Sequence, residues 1–152
     1  MRRPTFGVLV ALALGACGTE PEPHAVEVKD VVGFWHVSLT PDPGCTRNNP
    51  APALDLTLSA LGPAGADVLT LQGGWELAPV SNPGRELSGT LDLRTGAFEA
   101  DLIGAQPATR ARLNGTVKPE ASLTGTLIDP ADGAGAAILG SGSCTYAADG
   151  RH

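Results

Sequence analysis

Residues 109–128 read TRARLNGTVKPEASLTGTLI, and their reading decides the fold. Ala111, Leu113, Gly115 and Val117 fall on one parity, and Arg110, Arg112, Asn114 and Thr116 fall on the other. A period of two belongs to a strand with one buried face and one solvated face. Pro119-Glu120 interrupts the pattern as a short turn, after which Leu123, Gly125 and Leu127 resume it against Thr124 and Thr126. The stretch predicts two antiparallel strands joined as a hairpin.

The same pattern extends outward in both directions. Toward the N-terminus it appears at 97–102 (AFEADL) and 86–94 (ELSGTLDLR), joined around Thr95-Gly96. Before the 79–85 loop it appears at 67–77 (DVLTLQGGWEL), 54–60 (LDLTLSA) and 31–40 (VVGFWHVSLT), the last ended by Pro41-Asp42-Pro43-Gly44. Toward the C-terminus a weaker segment lies within 136–147. From Asp30 onward no helical periodicity exceeds two turns. The expectation is an all-β domain over 30–148, with a tail at 149–152. It is an antiparallel up-and-down barrel of about eight strands, or a β-sandwich as the alternative.

Alternation assigns the faces. Gly33, Trp35, Val37 and Leu39 oppose Phe34, His36, Ser38 and Thr40, while Leu54, Leu56 and Leu58 oppose Asp55, Thr57 and Ser59. Trp75 and Phe98 also face inward. A local motif recurs at 87–91 (LSGTL), 113–117 (LNGTV) and 123–127 (LTGTL), each time with a glycine between inward aliphatics. Such glycines either permit the sharp coiling of a small barrel or clear space for a ligand.

Composition excludes several classes. Among 152 residues there are 20 Gly, 13 Pro and few aromatics, which disfavours a helix bundle. An apolar share of 42% is too high for a disordered acidic tail. A formal charge of −6 argues against a sequence-independent nucleic-acid binder. No apolar run reaches the roughly 18 residues of a membrane-spanning helix.

The N-terminus carries a targeting signal. Arg2 and Arg3 precede the apolar run FGVLVALALGA at 6–16, too short to span a bilayer and suited to an h-region. It ends in Leu14-Gly15-Ala16-Cys17, which resembles a bacterial lipobox. The resemblance implies a signal peptide at 1–16, a diacylglyceryl group on the Cys17 thiol, and acylation of the new N-terminus. The mature chain of 136 residues then carries eight basic and sixteen acidic residues, a formal charge of −8. Attachment to the membrane therefore rests on lipid rather than on charge. By resemblance to enteric lipoproteins, Gly18 at the position after Cys17 implies the outer membrane. Residues 17–29 read as the lipidated cysteine and an extended linker, in which 18–29 span about 35–40 Å at ~3.1 Å per residue.

Cys45 and Cys144 remain. In an oxidising compartment two thiols form a disulfide, here joining the loop after the first strand to the last. The five residues beyond Thr40 reach about 17 Å, so either Cys45 folds back over the wall or the last strand starts later. No histidine or third cysteine stands at ligand spacing, so no metal or other cofactor is implied.

Gly33-Phe34-Trp35, on the first strand after a short lead-in, resembles the G-x-W motif of lipocalins and their calycin relatives. The resemblance implies an eight-stranded barrel with the tryptophan closing one end. Trp35, Trp75 and Phe98 then either line a ligand pocket or fill the core. No G-x-S-x-G, H-E-x-x-H or phosphate-loop motif occurs, and His24, His36 and His152 stand beside no nucleophile, so no enzyme is expected. Two readings follow. One is a lipid-anchored carrier of a small apolar molecule. The other is an interaction lipoprotein whose 41–53 segment, PDPGCTRNNPAPA, contacts another envelope component.

Overall fold

Eight strands close on one another in the order in which the chain makes them. They are β1 (Gly33–Pro41), β2 (Ala53–Leu61), β3 (Val68–Leu77), β4 (Arg85–Asp92), β5 (Ala97–Ile103), β6 (Arg110–Lys118), β7 (Ser122–Asp129) and β10 (Cys144–Arg151). A small hairpin of β8 (Ala136–Ala137) and β9 (Gly140–Ser141) lies between β7 and β10. The structure is a computed structural model that describes residues 24–78, 85–104, 110–130 and 136–152, with 136 and 137 by backbone alone. The leader, the lipobox and Cys17 lie outside the described residues. Every neighbouring pair is antiparallel, and β10 pairs with both β7 and β1, so the sheet is a closed barrel rather than a sandwich. Closure leaves the barrel no free strand edge.

The first seven strands lie within two residues of the limits expected from alternation. The eighth requires a correction. It begins at Cys144 and runs to Arg151, so residues 149–151 are its end and not a tail. Its inward residues after Cys144 are Tyr146, Ala148 and Gly150, mostly too small to give a hydrophobic signal. Asp149-Gly150 also has the composition of a turn. The later start puts Tyr146 opposite Pro41, which brings Cys144 to the end of β1 where Cys45 emerges.

Apolar side chains fill the inside. Trp35, Trp75, Tyr146 and nine leucines are the largest fully buried side chains. The outer wall carries Ser38, Thr57, Gln72, Thr90, Glu99, Arg112 and Thr126, among others. This is the inverse of a transmembrane barrel, whose apolar band faces outward. No helix among the described residues is long and apolar enough to cross a membrane.

The inward glycines have a steric reason. Gly115 faces Gly125 across β6 and β7. A Cβ on Gly115 would collide with the Thr124 carbonyl, and one on Gly125 with the Asn114 carbonyl. The space that a side chain would need is occupied by neighbouring backbone, which is the coiling role and not a cleared ligand site.

The two ends of the barrel differ. At the start of β1 the connections are short: 62–67, 93–96 and 119–121. The expected linker is also shorter than its composition suggested, because residues 24–31 pack onto this rim. Val26 is buried and donates its N–H to Leu93 O at 3.2 Å; a short 3-10 helix (Val28–Asp30) follows, and Val31 is fully buried. Trp35 closes the rim beneath them, its indole Nε1 donating to Val31 O at 2.8 Å. His152 stands edge-on to Trp35 at 5.3 Å and donates from Nε2 to Val32 O at 2.9 Å. Apolar burial at Val26 and Val31 overrides the alternating Pro/Glu signal just before them.

Candidate functional site

The opposite end is built around the connection between β1 and β2, residues 42–52, which forms an arch. Its shape begins with a local turn: Asp42 Oδ1 accepts the Gly44 N–H at 2.9 Å, and Asp42 O accepts the Cys45 N–H at 3.1 Å. Asp42 N–H in turn bonds Thr145 O at 2.9 Å, continuing the β1–β10 ladder into the arch. Cys45 is then bonded to Cys144, closing the disulfide expected from the cysteine count. Thr46 donates from both N and Oγ1 to Ser143 O at 3.1 Å.

Arg47 turns inward beside this bridge. Its guanidinium donates to Asp129 Oδ2 at 2.9 Å, Tyr146 Oη at 2.8 Å, Gly142 O at 2.6 Å and Ser141 O at 3.3 Å. Asp129 accepts two further bonds, from the Ile138 N–H at 3.1 Å and the Leu139 N–H at 2.9 Å. Tyr146 Oη also accepts the Ala51 N–H at 3.3 Å. The cluster thus ties the arch to the β8–β9 hairpin, to the end of β7 and to β10. No buried side-chain nitrogen or oxygen among the described residues lacks a partner. A charged pair taken out of water is tolerated when every donor and acceptor is met in this way.

With Arg47 and Ala51 held inward, the arch shows Asp42, Pro43, Gly44, Thr46, Asn48 and Asn49 to solvent. The result is a polar surface held at Cys45, Thr46, Arg47 and Ala51. Nearby, Arg85 lies over the Trp75 ring at 5.0 Å and donates to Ile138 O at 3.3 Å.

The aromatic residues considered as pocket-lining are all buried, but they do not surround one opening. Trp35 and Trp75 share a register row through Leu56, yet Trp35 is hydrogen-bonded at the β1-start rim, whereas Trp75 Nε1 donates to Ile103 O at 3.2 Å near the arch end. Phe98 lies opposite Leu91 and Gly115. Among the surface depressions, one of ≈ 150 Å³ is lined by Trp75 with Asp55, Thr57, Gly74 and Glu76, one of ≈ 380 Å³ lies against the lead-in and the 62–66 loop, and one of ≈ 330 Å³ lies on the wall beside Arg110, Arg112 and Ile128.

Several other ionisable groups form pairs on the outer wall and on the lead-in. His36 Nδ1 lies 2.6 Å from Asp55 Oδ1, and His24 Nε2 lies 3.1 Å from Asp67 Oδ1. Arg112 bonds Asp101 at 3.1 Å and Glu99 at 3.0 Å; the Asp101 hydrogen bond and charge, then Glu99, raise its pKa above the ordinary arginine value. Glu27, 2.8 Å from Lys29, raises that ammonium in the same way. These are exposed pairs of small energetic weight. No group of three or more His, Cys, Asp or Glu side chains among the described residues is placed to hold a metal ion.

Arg47, Asp129 and Tyr146 were not singled out by sequence reasoning. For Asp129 a signal existed: it continues the inward parity of Leu123, Gly125 and Leu127. Tyr146 likewise shares parity with Cys144, but Arg47 sits in an aperiodic Pro- and Asn-rich loop that offers none. No protein-family model matches the chain, and no curated protein and no solved structure is significantly similar to it.

Proposed function

We propose that the chain is a lipid-anchored lipoprotein of the bacterial cell envelope, non-enzymatic, whose barrel is a packed scaffold that presents the 42–52 arch to another envelope component. The observation that carries this reading is the opposition of two ends. The chain enters the barrel at the β1-start rim through Val26 and Val31, and the arch is locked at the other end by Cys45–Cys144 and Arg47–Asp129. Arg2, Arg3, the apolar run at 6–16 and the lipobox-like Leu14-Gly15-Ala16-Cys17 supply the anchor, and Gly18 favours the outer membrane.

A rigid polar loop suits recognition, because little conformational entropy is lost when it is bound. The interior filled by Trp35, Trp75, Tyr146 and leucines supports a scaffold over a carrier of a small apolar molecule. The disulfide supports an oxidising compartment. The test is photo-cross-linking in living cells from Asn48 and Asn49, each replaced by a photoreactive residue. A discrete adduct with one envelope component is expected from the arch and not from Ser88 on the outer wall. Equal or absent capture at all three positions contradicts the assignment.

A further inference from the structure

We infer that the β1-start rim is a membrane-contact surface that rests in the headgroup region of the bilayer, an inference that builds on the lipid anchor proposed above. The large apolar side chains left exposed among the described residues are Val28, Val32, Phe34, Leu61, Val68 and Ile128. The first five belong to this rim. Val28 and Val32 lie in the lead-in, Phe34 is the second residue of β1, and Leu61 and Val68 end β2 and begin β3. Phe34 and Val68 are 54% and 57% exposed. Ile128, near the end of β7, is the sole member at the arch end. Scattered exposed apolar residues are ordinary, but their concentration at one rim marks a contact surface. Beside them a groove of ≈ 380 Å³ is lined by Val28, Pro63 and Leu69 together with His24 and Glu27, a mixed surface suited to the headgroup region.

The length of chain outside the described residues identifies the occupant. His24 is held at the rim by Asp67, and residues 18–23 alone separate it from Cys17. At ~3.3–3.6 Å per residue that connection reaches at most about 25 Å. Strands of nine residues, tilted as barrels require, give a wall of roughly the same height. A diacylglyceryl group on Cys17 therefore keeps this rim, and not the arch, beside the lipid. Charge does not direct the contact: Lys29 is engaged by Glu27, and the chain after Cys17 is acidic. Valine, leucine and phenylalanine side chains entering the interface supply the attraction instead.

The experiment uses the full lipoprotein purified from membranes, carrying benzoylphenylalanine in place of Phe34, Val68 or Ile128 in separate preparations. Each is reconstituted into vesicles of phosphatidylethanolamine and phosphatidylglycerol, irradiated, and analysed for phospholipid adducts by mass spectrometry. Adduct yields at 34 and 68 should exceed that at 128 several-fold. Equal yields at all three positions, or none at 34 and 68, overturn the inference. Intact mass of the same samples reads the lipid on Cys17 separately. Lipid present without rim adducts removes the contact surface and leaves the anchor standing; an unlipidated Cys17 overturns both.

Discussion

Arg47 and Asp129 are 82 residues apart in the chain and 2.9 Å apart in space, with side chains 2% and 0% exposed. One belongs to the arch and the other is the last residue of β7, ahead of the β8–β9 hairpin. Their pairing converts two irregular segments into a single rigid cap on the barrel.

Removing one partner leaves the other charge buried. Asp129→Ala also strips acceptors from the Ile138 and Leu139 N–H groups. It should destabilise the protein by about 3–5 kcal/mol in denaturant titration. The pair Arg47→Met with Asp129→Leu should recover part of that loss, because neither charge is then stranded. A double variant as unstable as the sum of the single variants would show that the two residues do not act together.

The Cys45–Cys144 bond closes a loop with a sequence separation of 99 residues. The chain-entropy account allows up to ~4.7 kcal/mol for a loop of that size, and observed values centre on about 2–4 kcal/mol. Cys45→Ala combined with Cys144→Ala should cost that amount while the barrel persists. Hydrogen exchange should accelerate at Thr46 N–H, which bonds Ser143 O, before it accelerates at the β6–β7 ladder. Simultaneous exchange of both regions would contradict a locally cross-linked cap.

Gly115 and Gly125 sit opposite each other with no room for a Cβ on either. Gly115→Ala forces a methyl group against the Thr124 carbonyl and should cost about 2 kcal/mol or more. Asn114→Ala, one residue away and outward, should stay within about 0.5 kcal/mol. Comparable losses at the two sites would remove close strand approach as the reason for the glycine.

Glu120 and Ala121, in the turn between β6 and β7, both hold positive φ, at 74° and 53°. A left-handed backbone costs most side chains roughly 1–2 kcal/mol, and asparagine tolerates it better. Glu120→Asn should therefore stabilise the protein by about 0.5–1 kcal/mol, seen as a higher Tm. An unchanged or lower Tm would show that the turn is relaxed by other contacts.

The wall was legible where alternating side chains were large. Val37, Leu39, Leu54, Leu56 and Leu58 oppose His36, Ser38, Asp55 and Thr57 so regularly that their faces could be assigned from parity. β10 was legible only in part, because Ala148 and Gly150 are small and Asp149-Gly150 resembles a turn. The arch's lock was illegible for a different reason: Arg47 lies in a loop without period, and its partner is distant in the chain. Asp129 lies between these cases. Its inward parity after Leu127 was readable, but an acidic residue there also looks like the end of a strand. The docking of Val26 and Val31 depends on the shape of the rim, which local composition does not encode.

Native mass spectrometry of the protein extracted from its own membrane tests the central claim most directly. The account predicts one species: a chain that begins at Cys17 and bears lipid on it, with no small apolar molecule released on activation. A chain that retains residues 1–16, a free thiol at Cys17, or a bound apolar ligand released from the barrel would contradict it.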